Sequence, residues 1–404
     1  MGEETDLCIV GGGPAGMVAG LLFARAGVRT TVLEKHADFL RDFRGDTVHP
    51  STLRIFSELG LLERLLERPH DKVRSIGGLI GGRSLVIADF SHFDPRWNFI
   101  AMMPQWEFLD FVADEARTYP HFRLVMEAEA TGLLVESDRI AGVRYVSAGE
   151  EHALRARLTM ASDGRRSVLR GAAELEVEDL GAPMDVFWFR VPQGPTAENE
   201  TTGVFASGRI VALIDRGDYW QCAYVFPKGM AEEVRGRGLS AFRAEVAEVA
   251  PIVATGIDAV RDWDQVKLLS VSLDRLVRWH RPGLLVIGDA AHAMSPIGGV
   301  GINVAVQDAV AAANVLAGPM ARAEDPDPLL HRVQARRLRA VRMVQGAQKL
   351  AQERIISPLL MRAGGPFEPP LLLRLLDRYP LLRRLPAAAI GFGWRAEHVR
   401  SPAA

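Results

Sequence analysis

Asp6-Leu-Cys-Ile-Val-Gly11-Gly-Gly13-Pro14-Ala15-Gly16 stands near the start of the chain, and Glu34 closes the run Thr30-Thr-Val-Leu-Glu. Leu7–Val10 is a short apolar run with β-branched residues, the pattern of a buried parallel strand. The glycines make the turn. Ala15–Ala26 has helical spacing with Gly27 as its stop, and Arg29–Glu34 reads as the next strand. This is one βαβ unit, the setting that a dinucleotide fingerprint requires. Its glycines allow a tight turn, close approach of a pyrophosphate, and close packing of helix on strand. The helix N-terminus then faces the phosphates, and Glu34 is placed to accept from ribose hydroxyls. Alone, the fingerprint leaves NAD, NADP and FAD open.

A second motif narrows the choice: Gly283-Leu-Leu-Val-Ile-Gly-Asp289-Ala-Ala-His292-Ala-Met-Ser-Pro296-Ile-Gly-Gly299-Val-Gly301-Ile302-Asn303. A strand ends in Asp289, placed to bind a ribityl or ribose hydroxyl. Pro296–Gly301 feeds a long helix, Ile302–Leu316, whose N-terminal amides suit the N1–C2 carbonyl edge of a flavin, where negative charge gathers on reduction. The pair of motifs predicts FAD held by two distant parts of one chain. Between them lies Met160-Ala-Ser-Asp163-Gly164-Arg-Arg-Ser167-Val-Leu-Arg170, in isolation a common turn. Gly77–Gly82 lacks the spacing and the following helix, and reads as turn glycines.

With 404 residues, the chain accommodates two domains or one domain with insertions. Its 48% hydrophobic and 24% charged residues are ordinary for a soluble protein, and a cytoplasmic location is the default expectation. A net charge of −2 provides no general attraction to nucleic acid or to anionic membrane. Cys8 and Cys222 lie within strand patterns and read as small buried residues, without a disulfide framework or a metal site. No transmembrane helix and no signal peptide are expected.

The predicted fold is α/β. A discontinuous Rossmann-like FAD-binding domain (1–75, 100–180 and 275–330) carries an inserted, mostly antiparallel β-sheet substrate domain (76–99 and 181–274). C-terminal helices follow (331–404), beginning with one to about Arg354. Thr52–Glu67 reads as a helix pair broken at Gly60, and Ser75–Phe90 as a hairpin around Gly81-Gly82. Strands are expected at Met184–Val191, Arg209–Asp215, Tyr219–Phe226 and Val266–Leu273, with helices at Gln105–Arg117 and Leu239–Ala250. The Leu-, Arg- and Pro-rich tail (369–386) must cover its apolar faces. Packing on the body is expected, with a homodimer contact or membrane-surface adhesion as alternatives.

The three motifs, in this order, resemble the class A flavoprotein monooxygenases, the para-hydroxybenzoate hydroxylase family, over roughly residues 5–320. Gly11–Gly16 is similar to the family's first fingerprint. Asp163-Gly164 is similar to its Asp-Gly motif, associated with FAD and the nicotinamide cofactor, and Gly288-Asp289 to its Gly-Asp motif. Arg44 is similar to the family's arginine near the flavin, and Gln105 to the glutamine or arginine opening its helix.

The resemblance implies FAD bound by Gly11, Gly13, Pro14, Ala15, Gly16, Glu34, Lys35, Arg44, Gln105, Asp163, Asp289, Pro296, Gly299, Gly301, Ile302 and Asn303, with NAD(P)H as co-substrate. It implies that O₂ is captured as a flavin C4a-hydroperoxide and one oxygen passed to an electron-rich, aromatic small molecule. Two features depart from the pattern. Val300 and Ile302 flank Gly301 where many members are more polar, and the thioredoxin-like third domain of the phenol hydroxylase branch is not expected.

No nucleophile elbow and no metal-spaced histidines occur. His49 is the catalytic candidate, as proton relay or substrate contact, with a surface or capping histidine as the alternative. His292 reads as structural and Arg216 as a turn residue. Alternation puts Trp220, Cys222 and Tyr224 on one face of the inserted sheet; with Trp188 and Pro296, Trp220 and Tyr224 either line the substrate pocket or belong to the core. A flavin halogenase would need a Trp-x-Trp-x-Ile-Pro stretch, which is absent. An oxidoreductase or dehydrogenase that inserts no oxygen remains the rival enzyme, and a flavin-carrying binding protein the rival from another class.

Overall fold

The computed structural model describes residues 3–40, 46–193, 201–206, 208–361 and 369–404. Five parallel strands form the centre of the main sheet, in the order Leu284–Val286, Glu150–Ala161, Glu3–Val10, Thr30–Leu33 and Phe122–Val125. Leu7, Cys8 and Ile9 are fully buried, as expected where both faces of a parallel sheet are covered. The long strand Glu150–Ala161 does double duty. Its C-terminal end runs parallel beside Glu3–Val10, and its first half pairs antiparallel with Arg139–Ser147.

Helix Pro14–Arg25 lies between this sheet and helix Gly301–Ala321. Gly20 makes the sheet contact possible, since a Cβ there would sit 2.9 Å from the Phe122 ring and 3.0 Å from Val32 Cγ2. The stretch Ile297–Ala321 is long and apolar enough to cross a membrane by length and composition, but 83% of its most apolar window is buried inside the protein. Its apolar character belongs to the core shared with Met17, Leu21 and Val306.

A second, seven-stranded sheet runs Lys267–Leu269, Met184–Pro192, Tyr219–Pro227, Arg209–Asp215, Thr202–Ala206, Ser75–Ile80 and Arg83–Asp89. The two sheet-rich segments thus join in one sheet. The join is parallel pairing of Gly203–Phe205 with Gly78–Ile80, and the remaining pairings are antiparallel. The strand Thr202–Ala206 was not expected, and the expected strand Val266–Leu273 shortens to Lys267–Leu269. One face of this sheet is closed by helix Leu239–Val249, where Phe242 packs on Phe187, Phe189 and Tyr224. The other face meets Ile297 of the second motif and Ile356, Leu359 and Leu360.

Helix Leu330–Ala351 continues through a π-helical turn, Gln352–Ile356, into Ser357–Leu360. The last residues return to the main domain. Arg336 forks onto Glu397, Asn314 bonds the backbone of His398 and Arg400, and the Ala404 amide donates to the Arg25 carbonyl at 2.8 Å.

Candidate functional site

The three glycines of the first loop do different work. Gly11 has φ +104°, and a Cβ would fall 2.4 Å from the Ser162 carbonyl oxygen; at Gly16 it would fall 2.0 Å from the Gly11 oxygen. These two positions are closed by the protein itself. Gly13 is open: a Cβ there meets nothing within 4 Å, and its φ of −74° suits any residue. So the fold does not demand glycine at 13, whereas a pyrophosphate laid on the helix N-terminus does. The Glu34 carboxylate accepts from the Gly12 amide at 2.8 Å and the His36 amide at 3.1 Å, which fixes the loop at the end of the second strand. Pro14 and Ala15 begin the helix, and Lys35 is exposed beside Glu34.

The second motif is seated on the first. Gly288, at φ +61°, packs against Ala15, where a Cβ would come within 2.9 Å of the Ala15 methyl. Beneath it lies a buried charge cluster: Asp308 accepts from the Gly288 amide at 3.1 Å, from Arg337 Nε at 2.8 Å, and pairs with His292 Nε2 at 2.6 Å. Burial alone would raise the Asp308 pKa, but His292 and Arg337 outweigh it and the net shift is downward. His292 is thus part of the support for the Gly-Asp turn. Asp289 itself is about a third exposed, held by Arg165 Nε at 3.1 Å.

Sequence reasoning missed what shapes the Ala293–Ile297 stretch. Gln345, Gln348 and Gln352 occupy one buried face of the C-terminal helix and its π-turn. Their amides bond the Ala293 carbonyl (3.2 Å), the Ser295 and Ile297 carbonyls (2.8 and 3.0 Å) and the Ser295 hydroxyl (3.0 Å). The i, i+3, i+7 spacing of three glutamines was the available signal. Further on, Thr47 donates to the Gly299 carbonyl at 2.7 Å. The Asn303 side chain accepts from the His49 amide (2.9 Å) and Thr52 hydroxyl (2.7 Å), which ties 47–52 to the motif helix. Gly301, Ile302 and Asn303 form the first turn of that helix, where no preceding carbonyl of the helix satisfies the amides.

Ser167 caps the short helix Val168–Ala172 by accepting from the Arg170 amide at 3.0 Å, and Asp163 accepts from Ser167 Oγ (2.6 Å) and the Leu169 amide (3.3 Å). Burial raises its pKa, and those hydrogen bonds oppose the rise. Arg165 reaches Asp289, Arg170 reaches the Ala290 carbonyl, and Ser162 bonds the Val10 and Gly11 carbonyls. The middle motif therefore connects the other two.

His49 is fully buried at the N-cap position of helix Pro50–Glu58, but its side chain makes no capping hydrogen bond, so it is neither a surface nor a capping histidine. Nδ1 lies 2.9 Å from the Ile390 carbonyl, which requires the proton on Nδ1 and leaves Nε2 as a buried acceptor with no partner among the described residues. Burial, opposed by the Ile390 bond, lowers its pKa to about 4, so the ring is neutral at pH 7. Nearby in sequence, Asp46 accepts from the Gln105 amide at 3.3 Å and forms a buried ion pair with Arg216. Arg216 does sit in a turn, but its side chain leaves the surface to bridge the inserted sheet and the main domain. Burial raises the Asp46 pKa and Arg216 opposes the rise. Arg44 lies outside the described residues.

Two expected pocket residues belong elsewhere. Trp220 and Tyr224 are 1% and 3% exposed in the core under helix Leu239–Val249, and the Tyr224 hydroxyl donates to Glu245 at 2.8 Å. Alternation places them correctly on one face, but the helix covers that face. Trp188 lies on the opposite face, clustered with Ala212, Ala223 and Ile297, next in the chain to Pro296. Its indole N–H is buried without a partner among the described residues. Among the described residues, no three His, Cys, Asp or Glu side chains converge on a metal site.

The site fits FAD. The open space at Gly13 would accept the pyrophosphate, Glu34 and Asp289 would offer carboxylates to hydroxyls, and the Gly301–Asn303 turn would offer amides to the flavin. Residues 4–347 match the family described as FAD binding domain. The chain is 30% identical to 6-methylpretetramide 4-monooxygenase of Streptomyces rimosus over 413 aligned residues, covering 99% of this chain and 95% of that protein. It is 28% identical to rifampicin monooxygenase of Streptomyces venezuelae, covering 75% of this chain but 62% of that longer protein. The fold is shared with the solved structure of OxyS anhydrotetracycline hydroxylase from Streptomyces rimosus, at TM-score 0.75, 24% identity, and coverage of 99% and 77%. The chain belongs to the FAD-binding-domain family and is a class A, FAD-dependent monooxygenase with NAD(P)H as co-substrate.

Proposed function

We propose that this enzyme adds one oxygen atom to a fused polycyclic phenol held between the Pro296–Gly301 loop and the face of the second sheet that carries Trp188. The observation behind this reading is the row Trp188–Ala223–Ala212, register partners on three adjacent strands. One indole followed by two methyl groups is a row of low relief beside Ile297, suited to a flat ring system larger than one benzene ring. Likeness to 6-methylpretetramide 4-monooxygenase over nearly the whole chain supports the same class.

When bound, FAD supplies the redox chemistry, taking a hydride from NAD(P)H and activating O₂. The chain's own residues bind and orient. Gly11–Gly16 and Glu34 take the adenosine and pyrophosphate end, while Asp289 and the Gly301–Asn303 amides take the ribityl and ring end. The glutamines at 345, 348 and 352 hold the loop between them in shape. The Trp188 indole donates to a substrate oxygen. Neutral His49 keeps Nε2 as an acceptor, suited to take a hydrogen bond from a substrate hydroxyl without itself becoming charged. The test is NAD(P)H oxidation with single-ring and fused-ring phenols. Fused-ring phenols should accelerate it and single-ring phenols should not; acceleration confined to single rings overturns the substrate class.

A further inference from the structure

The tail leaves part of its apolar surface uncovered. In helix Leu371–Arg378, Leu373 and Leu376 are buried against Ile80 and Leu85 of the second sheet, as packing on the body requires. The outward residues are equally apolar: Leu371 is 64% exposed, Leu372 63%, Tyr379 51%, Leu381 71% and Leu385 71%. These lie within fifteen residues of chain, on helix Leu371–Arg378, the turn Pro380–Arg383 and helix Arg384–Gly391, the turn packing against both helices, so they are not scattered single leucines.

The same stretch, 371–385, holds four arginines (374, 378, 383 and 384) and one acid, Asp377, a balance of +3 in a chain of net −2. Arg374, Arg378 and Arg384 are exposed at the rim of the leucines, while Arg383 is turned back onto the Leu376 and Asp377 carbonyls. Aliphatic side chains facing out beneath flexible, charged rims are the pattern of a segment lying in a membrane interface. There, leucines enter the acyl boundary and arginine stems reach back to phosphate. A second copy fits less well, because a two-fold contact would set the arginine rim against itself. A protein partner would be expected to meet aromatic anchors, and this patch has one tyrosine among its leucines.

We propose that the outward face of 371–385 docks the enzyme on an anionic phospholipid bilayer. Charge attracts, and leucine burial holds. The experiment uses the full-length FAD-loaded enzyme and sedimentation with vesicles of phosphatidylcholine alone or mixed with phosphatidylglycerol. Binding to the mixed vesicles should be at least about tenfold stronger, and high salt should weaken it by screening. The double variant Leu372→Glu/Leu381→Glu should bind at least about tenfold more weakly, with FAD content and NAD(P)H oxidation unchanged. Equal binding to both vesicle types, no binding at low salt, or unchanged binding of the variant overturns the proposal. So does a concentration-dependent dimer that the variant abolishes in the absence of vesicle binding, which would assign the patch to a second copy.

Discussion

Replacing His49 with Asn should remove an acid sensitivity that the native protein carries between pH 7 and pH 5. The ring is fully buried, and its pKa falls from 6.5 to about 4. A folded-state pKa below the unfolded one means that the unfolded chain binds the extra proton as pH falls, so stability present above pH 6.5 is lost on acidification. At pH 5 the unfolded imidazole is almost wholly protonated and the folded one about a tenth protonated, which costs roughly 2 kcal/mol, growing to roughly 3 kcal/mol at pH 4. Asn suits the control because its amide can donate to the Ile390 carbonyl in place of Nδ1, and it does not titrate. The assay is denaturant unfolding of both proteins at pH 7 and pH 5, followed by tryptophan fluorescence. Packing losses common to both pH values cancel in the double difference, as do the other titrating groups. The native protein should lose roughly 2 kcal/mol more than the variant. A double difference within about 0.5 kcal/mol would refute the claim that the fold holds His49 neutral.

Gly13→Val should fold and lose FAD, since the space at Gly13 is free of protein, whereas Gly16→Val should lose about 3 kcal/mol or more by collision with the Gly11 carbonyl. Circular dichroism melts and flavin absorbance separate the two outcomes, and a Gly13→Val protein with full flavin content would contradict the loop assignment. Arg216→Ala strands Asp46 in a buried setting and should cost about 3–5 kcal/mol, much of which the Asp46→Asn/Arg216→Met pair should restore; equal losses in single and double variants would show that the two do not act as a pair. Stopped-flow reduction of the flavin by NAD(P)H should be at least about tenfold faster with a hydroxylated substrate bound, a coupling of about 1.4 kcal/mol, and equal rates would exclude substrate gating.

What was legible in the sequence is local. The glycine loop, the first helix and the Gly-Asp turn are set by spacings of a few residues, and the structure has them in the predicted places. The hairpin at Gly81-Gly82 likewise forms, both glycines taking positive φ. What was hidden depends on partners far along the chain. Arg216 looked like a turn residue because Asp46 is 170 positions away. Strand alternation put Trp220 and Tyr224 on one face, but which face a helix covers is decided by Leu239–Val249, whose docking no local pattern specifies. The strand Thr202–Ala206 is short and contains Gly203, too weak a β signal to stand out. The glutamine ladder had a visible spacing, but its target loop lies some fifty residues earlier. The resemblance implies that Asn303 contacts FAD. Its side-chain oxygen fastens 47–52 to the motif helix, and its backbone would serve that role.

The central claim is that this chain inserts oxygen into a fused-ring phenol and does not merely pass electrons. The most direct measurement is a turnover under isotopically heavy dioxygen with NAD(P)H and a fused polycyclic phenol, followed by mass spectrometry of the ring product. The account predicts a product that has gained one heavy oxygen atom, in step with NAD(P)H consumed. A product that carries no heavy oxygen, or one reduced or desaturated without oxygen gain, would contradict it.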